Sequence, residues 1–202
     1  MIRYALAALL VLSSLPAGAT LWSFKADLSG GAEFPPVASP GTGFASVLID
    51  DLAHTMLVEA GFSGLTGNTT AAHIHCCVAP DALVPNVGVA TQTPSFAGFP
   101  AGVTTGSYSH LFDLTDAGSF NASFVTNNGG TPTGAELALL AGLIAGEAYF
   151  NIHTTAFGAG EIRGFLRRVA VPAPASAFLI AFGLGPLAVL SRRRKTQWPP
   201  YR

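Results

Sequence analysis

Alternation of apolar and polar residues is the dominant pattern of this chain, and it predicts seven β-strands. Apolar side chains recur at every second position over short segments bounded by Gly, Pro, Asn and Ser. This period of two is typical of strands that bury one face. The predicted strands span residues 21–28, 43–49, 56–62, 71–75, 106–114, 148–153 and 162–169.

Two segments depart from the alternating pattern. Residues 134–146 read GAELALLAGLIAG, which predicts one short helix over 135–143 with Thr133 as its cap. Residues 80–105 are rich in Pro, Gly and Thr and show little periodicity, which predicts an extended surface loop. Several short strands joined by turns predict an all-β fold, an antiparallel Greek-key β-sandwich or barrel with one short helix.

The N-terminus has the pattern of a secretory signal peptide. Arg3 precedes an apolar run, Pro16 interrupts it, and the small residues Ala17-Gly18-Ala19 follow. This order of a basic region, an apolar region and small residues predicts cleavage after Ala19. We therefore expect residues 1–19 to be removed on export and residues 20–170 to form the mature domain.

The C-terminal residues 171–202 have a three-part layout. Val171, Pro172, Ala173 and Pro174 precede the apolar stretch 175–190, and the basic cluster Arg192-Arg193-Arg194-Lys195 follows at once. The apolar stretch is near the minimum length of a transmembrane segment, and the basic cluster predicts a cytoplasmic end.

This layout resembles the PEP-CTERM sorting signal of Gram-negative bacteria, although Ala173 stands where the motif usually has Glu. The resemblance implies an exosortase-type membrane enzyme as a partner and cleavage near Pro172-Ala173-Pro174. The mature domain would then be released to, or attached at, the cell surface.

The mature domain is acidic. Residues 20–170 hold four Lys and Arg against eleven Asp and Glu, a formal charge of −7. Nucleic-acid binding needs clustered cationic side chains to contact phosphates, so this charge excludes a nucleic-acid partner. Cations or a metal ion are more natural small partners for such a domain.

Four ordered motifs between residues 24 and 166 resemble the CHRD domain, first named from chordin. They are ADLSGGAEFPPV at 26–37, FSGLTG at 62–67, AAHIH at 71–75, and NIHT at 151–154 followed by GEIRG at 160–164. The resemblance implies a β-sandwich similar to Cu/Zn superoxide dismutase or to immunoglobulin domains. It implies no settled activity, because the biochemical function of the family is poorly defined.

Three histidines form the candidate metal site. On a strand, His73 and His75 point to the same face because they are two residues apart, and His153 joins them if its strand is adjacent. Three neutral imidazoles suit Zn or Cu, with Glu161 as a fourth ligand or as an acceptor that fixes a histidine tautomer. The alternative is a structural polar network of these histidines with Glu161 and Arg163. Dismutase catalysis is not expected, since the further histidine and ordered aspartate of a two-metal site are lacking.

Cys76 and Cys77 directly follow His75 and are the only cysteines. Three alternatives are open for them: a vicinal disulfide, which an oxidising compartment favours, metal ligation beside His75, and intermolecular bridges. No catalytic residue is predicted.

The sequence leads to two main hypotheses. The first is a non-enzymatic, exported structural or binding module of the cell surface or extracellular matrix. The second is a mononuclear Zn- or Cu-binding protein. A third hypothesis is an interaction domain that binds matrix polysaccharide or another protein, such as an envelope protein, through the 80–105 loop.

Overall fold

The computed structural model describes residues 20–171. The predicted signal peptide lies outside these residues, and so does the predicted sorting segment except for Val171. Residues 20–169 belong to one compact unit, and a second unit begins at Ala170. Within the described residues, no helix is long and apolar enough to cross a membrane.

The described domain is antiparallel and mostly β, as the alternating pattern predicted. Seven predicted strands are present, and the last of them is divided in two at Leu166. The strands are β1 (Leu21–Ser29), β2 (Thr42–Asp50), β3 (Thr55–Ser63), β4 (Thr69–His75), β5 (Gly106–Asp113), β6 (Tyr149–Thr154), β7 (Ile162–Phe165) and β8 (Arg167–Val169).

All eight strands hydrogen-bond into a single sheet. Its order is β4-β6-β7-β1-β2-β3-β5, and β8 continues the line of β7 beside β1. The consecutive strands β4 and β5 therefore lie at opposite edges, and the chain crosses the domain twice to reach them. The sheet curls, so its two ends pack against a shared core in a sandwich-like arrangement.

The connection between β4 and β5 packs against both ends of the sheet. The sequence predicted an extended surface loop here, and the structure corrects that prediction. Phe96 is only 2% exposed. Its ring centroid lies 5.7 Å from that of Phe150 on β6 and 5.3 Å from that of Phe112 on β5. A segment rich in Pro, Gly and Thr, with little periodicity, thus contributes a central core residue.

The same connection covers the free edge of β4. The N–H groups of Ala90 and Phe96 donate to the carbonyls of Ile74 and Ala72, and Thr91 Oγ1 accepts from the Ile74 N–H. An uncovered edge strand presents unpaired backbone groups that promote aggregation. The loop satisfies those groups and fixes the position of β4.

Two α-helices occur where one short helix was predicted. The first, α1 (Ala122–Asn127), is capped by the Asn121 side chain, which accepts from the Ser123 N–H. The second, α2 (Pro132–Ala145), contains the predicted helix 135–143. Its cap is Thr131 and not Thr133, because Pro132 occupies the first helical position, where its missing N–H costs nothing.

The position of Phe96 generates a stability prediction. Phe96→Ala is expected to lower the free energy of unfolding by about 3–5 kcal/mol, the usual cost of truncating a buried aromatic residue. Urea unfolding followed by circular dichroism measures the change. Leu83→Ala, at a 53% exposed residue of the same loop, is the matched control and should change little. Equal effects of the two substitutions would contradict the role of Phe96.

Candidate metal centre

Pairing of β4 with β6 places the three candidate histidines on one face of the sheet. His73 lies opposite Asn151, His75 opposite Tyr149, and His153 opposite Ala71. Directly opposed residues of antiparallel strands share a face. The intervening residues of both strands, including Ile74 and Phe150, are fully buried in the core.

His73, His75 and His153 form a compact group, which we call the histidine cluster. One ring nitrogen of each lies within 4.8 Å of one ring nitrogen of both others. The ring centroids are 5.2 Å apart for His73 and His153, 5.7 Å for His73 and His75, and 6.1 Å for His75 and His153. His73 and His75 are buried, and His153 is half-buried. The structure therefore brings the three predicted ligands together.

Backbone carbonyls fix the tautomer of each imidazole. His73 Nε2 lies 2.5 Å from Pro94 O, His75 Nδ1 lies 2.7 Å from Val87 O, and His153 Nδ1 lies 2.9 Å from Gly158 O. A carbonyl oxygen only accepts, so each of these nitrogens carries the proton and donates. In a neutral imidazole the other nitrogen then bears a lone pair.

We call these other nitrogens the spare nitrogens: His73 Nδ1, His75 Nε2 and His153 Nε2. All three are buried and have no hydrogen-bond partner among the described residues. Burial lowers the pKa of all three histidines, and it brings the pKa of His75 to about 4. The cluster is thus neutral near pH 7 and offers three lone pairs.

Glu161 lies apart from the histidine cluster and serves as an anchor for loops. Its carboxylate accepts hydrogen bonds from Ser39 Oγ, Thr154 Oγ1 and the backbone N–H groups of Thr66 and Gly67. Burial alone would raise the pKa of Glu161, but these four bonds lower it overall. The carboxylate holds three segments of chain together as an anion.

Arg163 also holds loops, and it is completely buried. Its guanidinium donates to the backbone carbonyls of Ala32, Val84 and Ala82 and to Asn86 Oδ1. Its Cζ lies 4.8 Å from the ring centroid of Tyr149. Tyr149 in turn stacks on His75, with centroids 4.9 Å apart and rings nearly parallel. Arg163 therefore reaches the cluster through a stack of rings and not through a hydrogen bond.

Sequence reasoning missed Glu33 and Asn151, which lie beside the cluster. Asn151 is opposite His73, and its Nδ2 donates to both carboxylate oxygens of Glu33 at 3.0 and 3.2 Å. Glu33 is 2% exposed, and its Oε2 lies 3.9 Å from Arg163 Nε. Burial, opposed by Arg163, raises the pKa of Glu33 to about 7. Both residues stand in the motifs that carry the family resemblance. Their place in those motifs was the sequence signal that could have identified them.

A disulfide joins Cys76 and Cys77, one of the three alternatives that the sequence left open. The chain turns its side chains to alternate faces here, so Cys76 packs into the core while His75 faces the cluster. Both sulfur atoms lie against Gly142 of α2, where a Cβ atom would clash with them. No cysteine or carboxylate of the described residues belongs to the cluster.

Comparison with known proteins gives one match. A family model described as the CHRD domain matches residues 24–166, most of the chain. No curated protein and no solved structure matches this chain.

The raised pKa of Glu33 predicts a pH-dependent stability. The carboxyl binds its proton more tightly in the folded chain, with a pKa of about 7, than at its ordinary value of 4.5. The stabilising contribution of Glu33 to the free energy of unfolding is therefore complete below pH 4.5 and is lost as pH rises through about 7. Glu33→Gln should remove this loss, which is about 3 kcal/mol by linkage.

Urea unfolding of the wild type and of Glu33→Gln from pH 4 to pH 8 measures the difference between their free energies of unfolding. The histidines titrate alike in both proteins, so their contributions cancel in this difference. Glu59→Gln, at an exposed carboxylate, is the control and should follow the wild type. Parallel stability curves for wild type and Glu33→Gln would show that folding leaves the pKa of Glu33 unchanged.

Proposed function

We propose that this chain, which belongs to the CHRD domain family, is an exported binding module that holds one transition-metal ion, Zn or Cu, between His73, His75 and His153. The proposal assigns metal binding to the histidine cluster and no catalytic role. It retains the exported surface module of the sequence analysis and identifies what such a module binds.

The observation that carries the proposal is the set of three spare nitrogens. Buried polar atoms are nearly always paired, because an unpaired one costs about 1–3 kcal/mol. Here three acceptors lack a donor among the described residues, and the three imidazoles that carry them lie in one cluster. A cation at their centre satisfies all three at once, whereas the alternative of a hydrogen-bonded network leaves each of them unpaired.

The dimensions of the cluster suit a single ion. Three atoms no more than 4.8 Å apart lie within about 2.8 Å of a common point, and a Zn–N bond is about 2.0–2.1 Å. Small rotations of the imidazoles close this difference. Histidines on opposite faces of the sheet could have met at one ion only if β4 or β6 refolded.

The hydrogen bonds around the cluster are of the kind that metal ligands make. A ligating histidine usually donates its other N–H to a carbonyl or carboxylate, which orients the ring and strengthens it as a ligand. All three histidines donate to backbone carbonyls of the covering loops. Their lowered pKa values also keep protons from competing for the lone pairs near neutral pH.

Export and sorting form the second part of the proposal. The signal-peptide pattern of residues 1–19 supports secretion, and the layout of residues 171–202 supports a transient membrane anchor and processing by an exosortase-type enzyme. The mature domain would then lie at the cell surface of a Gram-negative bacterium, in contact with matrix polysaccharide or envelope protein. The two crossovers around β4 support a Greek-key sandwich similar to the dismutases.

Metal content tests the central claim. The full chain, refolded with excess Zn or Cu and freed of unbound metal, should retain one ion per molecule by elemental analysis. His153→Ala should lose it, because the substitution removes one of three ligands, and His153 is the half-buried member of the cluster. His73→Ala and His75→Ala should lose it as well.

His110→Ala is the matched control, since His110 is exposed on β5, away from the cluster. It should retain the metal. Circular dichroism confirms that each variant is folded. A wild-type chain that retains neither Zn nor Cu ends the proposal, and so does metal that survives in all three cluster variants.

The mass of the exported protein tests the sorting claim. In the producing cell, the surface form should begin at Thr20 and end near Pro172-Ala173-Pro174. Peptide mapping by mass spectrometry identifies both ends. Substituting Gln for Arg192, Arg193, Arg194 and Lys195 should leave an unprocessed C-terminus, because the basic cluster orients the segment. A surface protein that still contains the 192–195 peptide would contradict the proposal.

A further inference from the structure

We propose that the histidine cluster selects monovalent Cu(I) over divalent Zn(II). The inference rests on the proposed function, and it names the ion that the same three histidines hold. It follows from the charge around the cluster and not from the type of donor, because imidazole is a good ligand for both metals.

The first observation is that the donor set is neutral. Every Asp, Glu, Cys and His of the chain lies within the described residues. Of these, only three neutral histidines form the cluster. The two cysteines are joined to each other and packed on α2, so they supply no thiolate. An ion bound here keeps its full charge.

The nearby carboxylates are committed to other partners. Glu161 accepts four hydrogen bonds on the loops that it anchors. Glu33 accepts from Asn151 and faces Arg163, and the imidazoles of the cluster donate to backbone carbonyls instead of to Glu33. Those carbonyls are uncharged. None of these groups places a negative charge against the ion.

The charge that reaches the cluster through the ring stack is positive. Arg163, Tyr149 and His75 form a continuous stack, with 4.8 Å from the guanidinium carbon to the tyrosine ring and 4.9 Å from that ring to the imidazole. Arg163 is fully buried, so water screens its field poorly. Its charge disfavours any cation at the cluster and disfavours a dication twice as strongly.

Desolvation adds to this discrimination. The free energy of moving an ion from water to a medium of low dielectric constant rises with the square of its charge, so a dication costs about four times as much as a monocation of the same size. Negative ligands or paired carboxylates normally offset that cost. The buried, neutral histidine cluster offers neither to Zn(II).

Coordination number points the same way. Protein-bound Zn(II) is almost always four-coordinate, and the cluster provides three donors. A fourth ligand for Zn(II) would have to enter beside His153, the one half-buried member. A Cu(I) ion is satisfied by three imidazoles in a trigonal arrangement and needs no further ligand.

Competition between metals tests the inference on the full chain. Cu(I), kept reduced by ascorbate without oxygen, is offered as its coloured bicinchoninate complex, and loss of that colour reports transfer to the protein. One equivalent should transfer, and excess Zn(II) should not reverse it. We expect Cu(I) to bind at least about 100-fold more tightly than Zn(II), a difference of ~2.7 kcal/mol.

Two further measurements separate the effect of ionic charge from that of sulfur ligation. Ag(I), which is also monovalent and is added without oxygen after the ascorbate has been removed, should compete with Cu(I) where Zn(II) does not. The double variant Cys76→Ser/Cys77→Ser should bind Cu(I) as the wild type does, because sulfur takes no part.

His153→Ala should lose the tight binding, and His110→Ala should keep it.

The outcomes separate this inference from the proposed function. Displacement of Cu(I) by Zn(II) would overturn the selectivity and leave the metal-binding function standing. Loss of Cu(I) binding in the double cysteine variant would also overturn it, since the ion would then sit on sulfur. Failure of both metals to bind would overturn the proposed function itself.

Discussion

The register between β4 and β6 is the constraint on which the rest of this structure depends. Because His73 lies opposite Asn151 and His75 opposite Tyr149, one face of the strand pair carries the histidine cluster and the other carries core residues such as Ile74 and Phe150. A slip of one residue would exchange the faces, placing imidazoles among Phe and Ile and Ile74 among the polar groups. Core packing and the histidine cluster are therefore specified by the same hydrogen-bond ladder.

The polar face is organised as a second interior beneath covering loops. Arg163 binds the carbonyls of two loops, and Glu161 binds N–H and hydroxyl groups of three segments of chain. The Glu161 carboxylate accepts four hydrogen bonds within the chain, so it is not available as a metal ligand. The charged residues thus build the site, and the neutral histidines are the residues available to bind.

Much of the fold and part of the site could be predicted from the sequence. Alternation located the strands because it reports directly which face is buried, and the i, i+2 spacing of His73 and His75 gave their common face. The position of Phe96 could not be predicted, since its burial depends on two distant strands meeting. Glu33 escaped notice for the same reason: its neighbours Asn151 and Arg163 are remote in sequence. Tertiary contacts, and not local pattern, decided both positions.

The segment that carries Phe96 also carries two of the three carbonyls that orient the imidazoles, those of Pro94 and Val87. Core and site thus share one stretch of backbone. Such a segment is not a modular loop that can be grafted from one member of the family to another. A chimera that exchanged it would repack the interior and re-aim two histidines in a single step, so sequence change here must proceed in concert with β4.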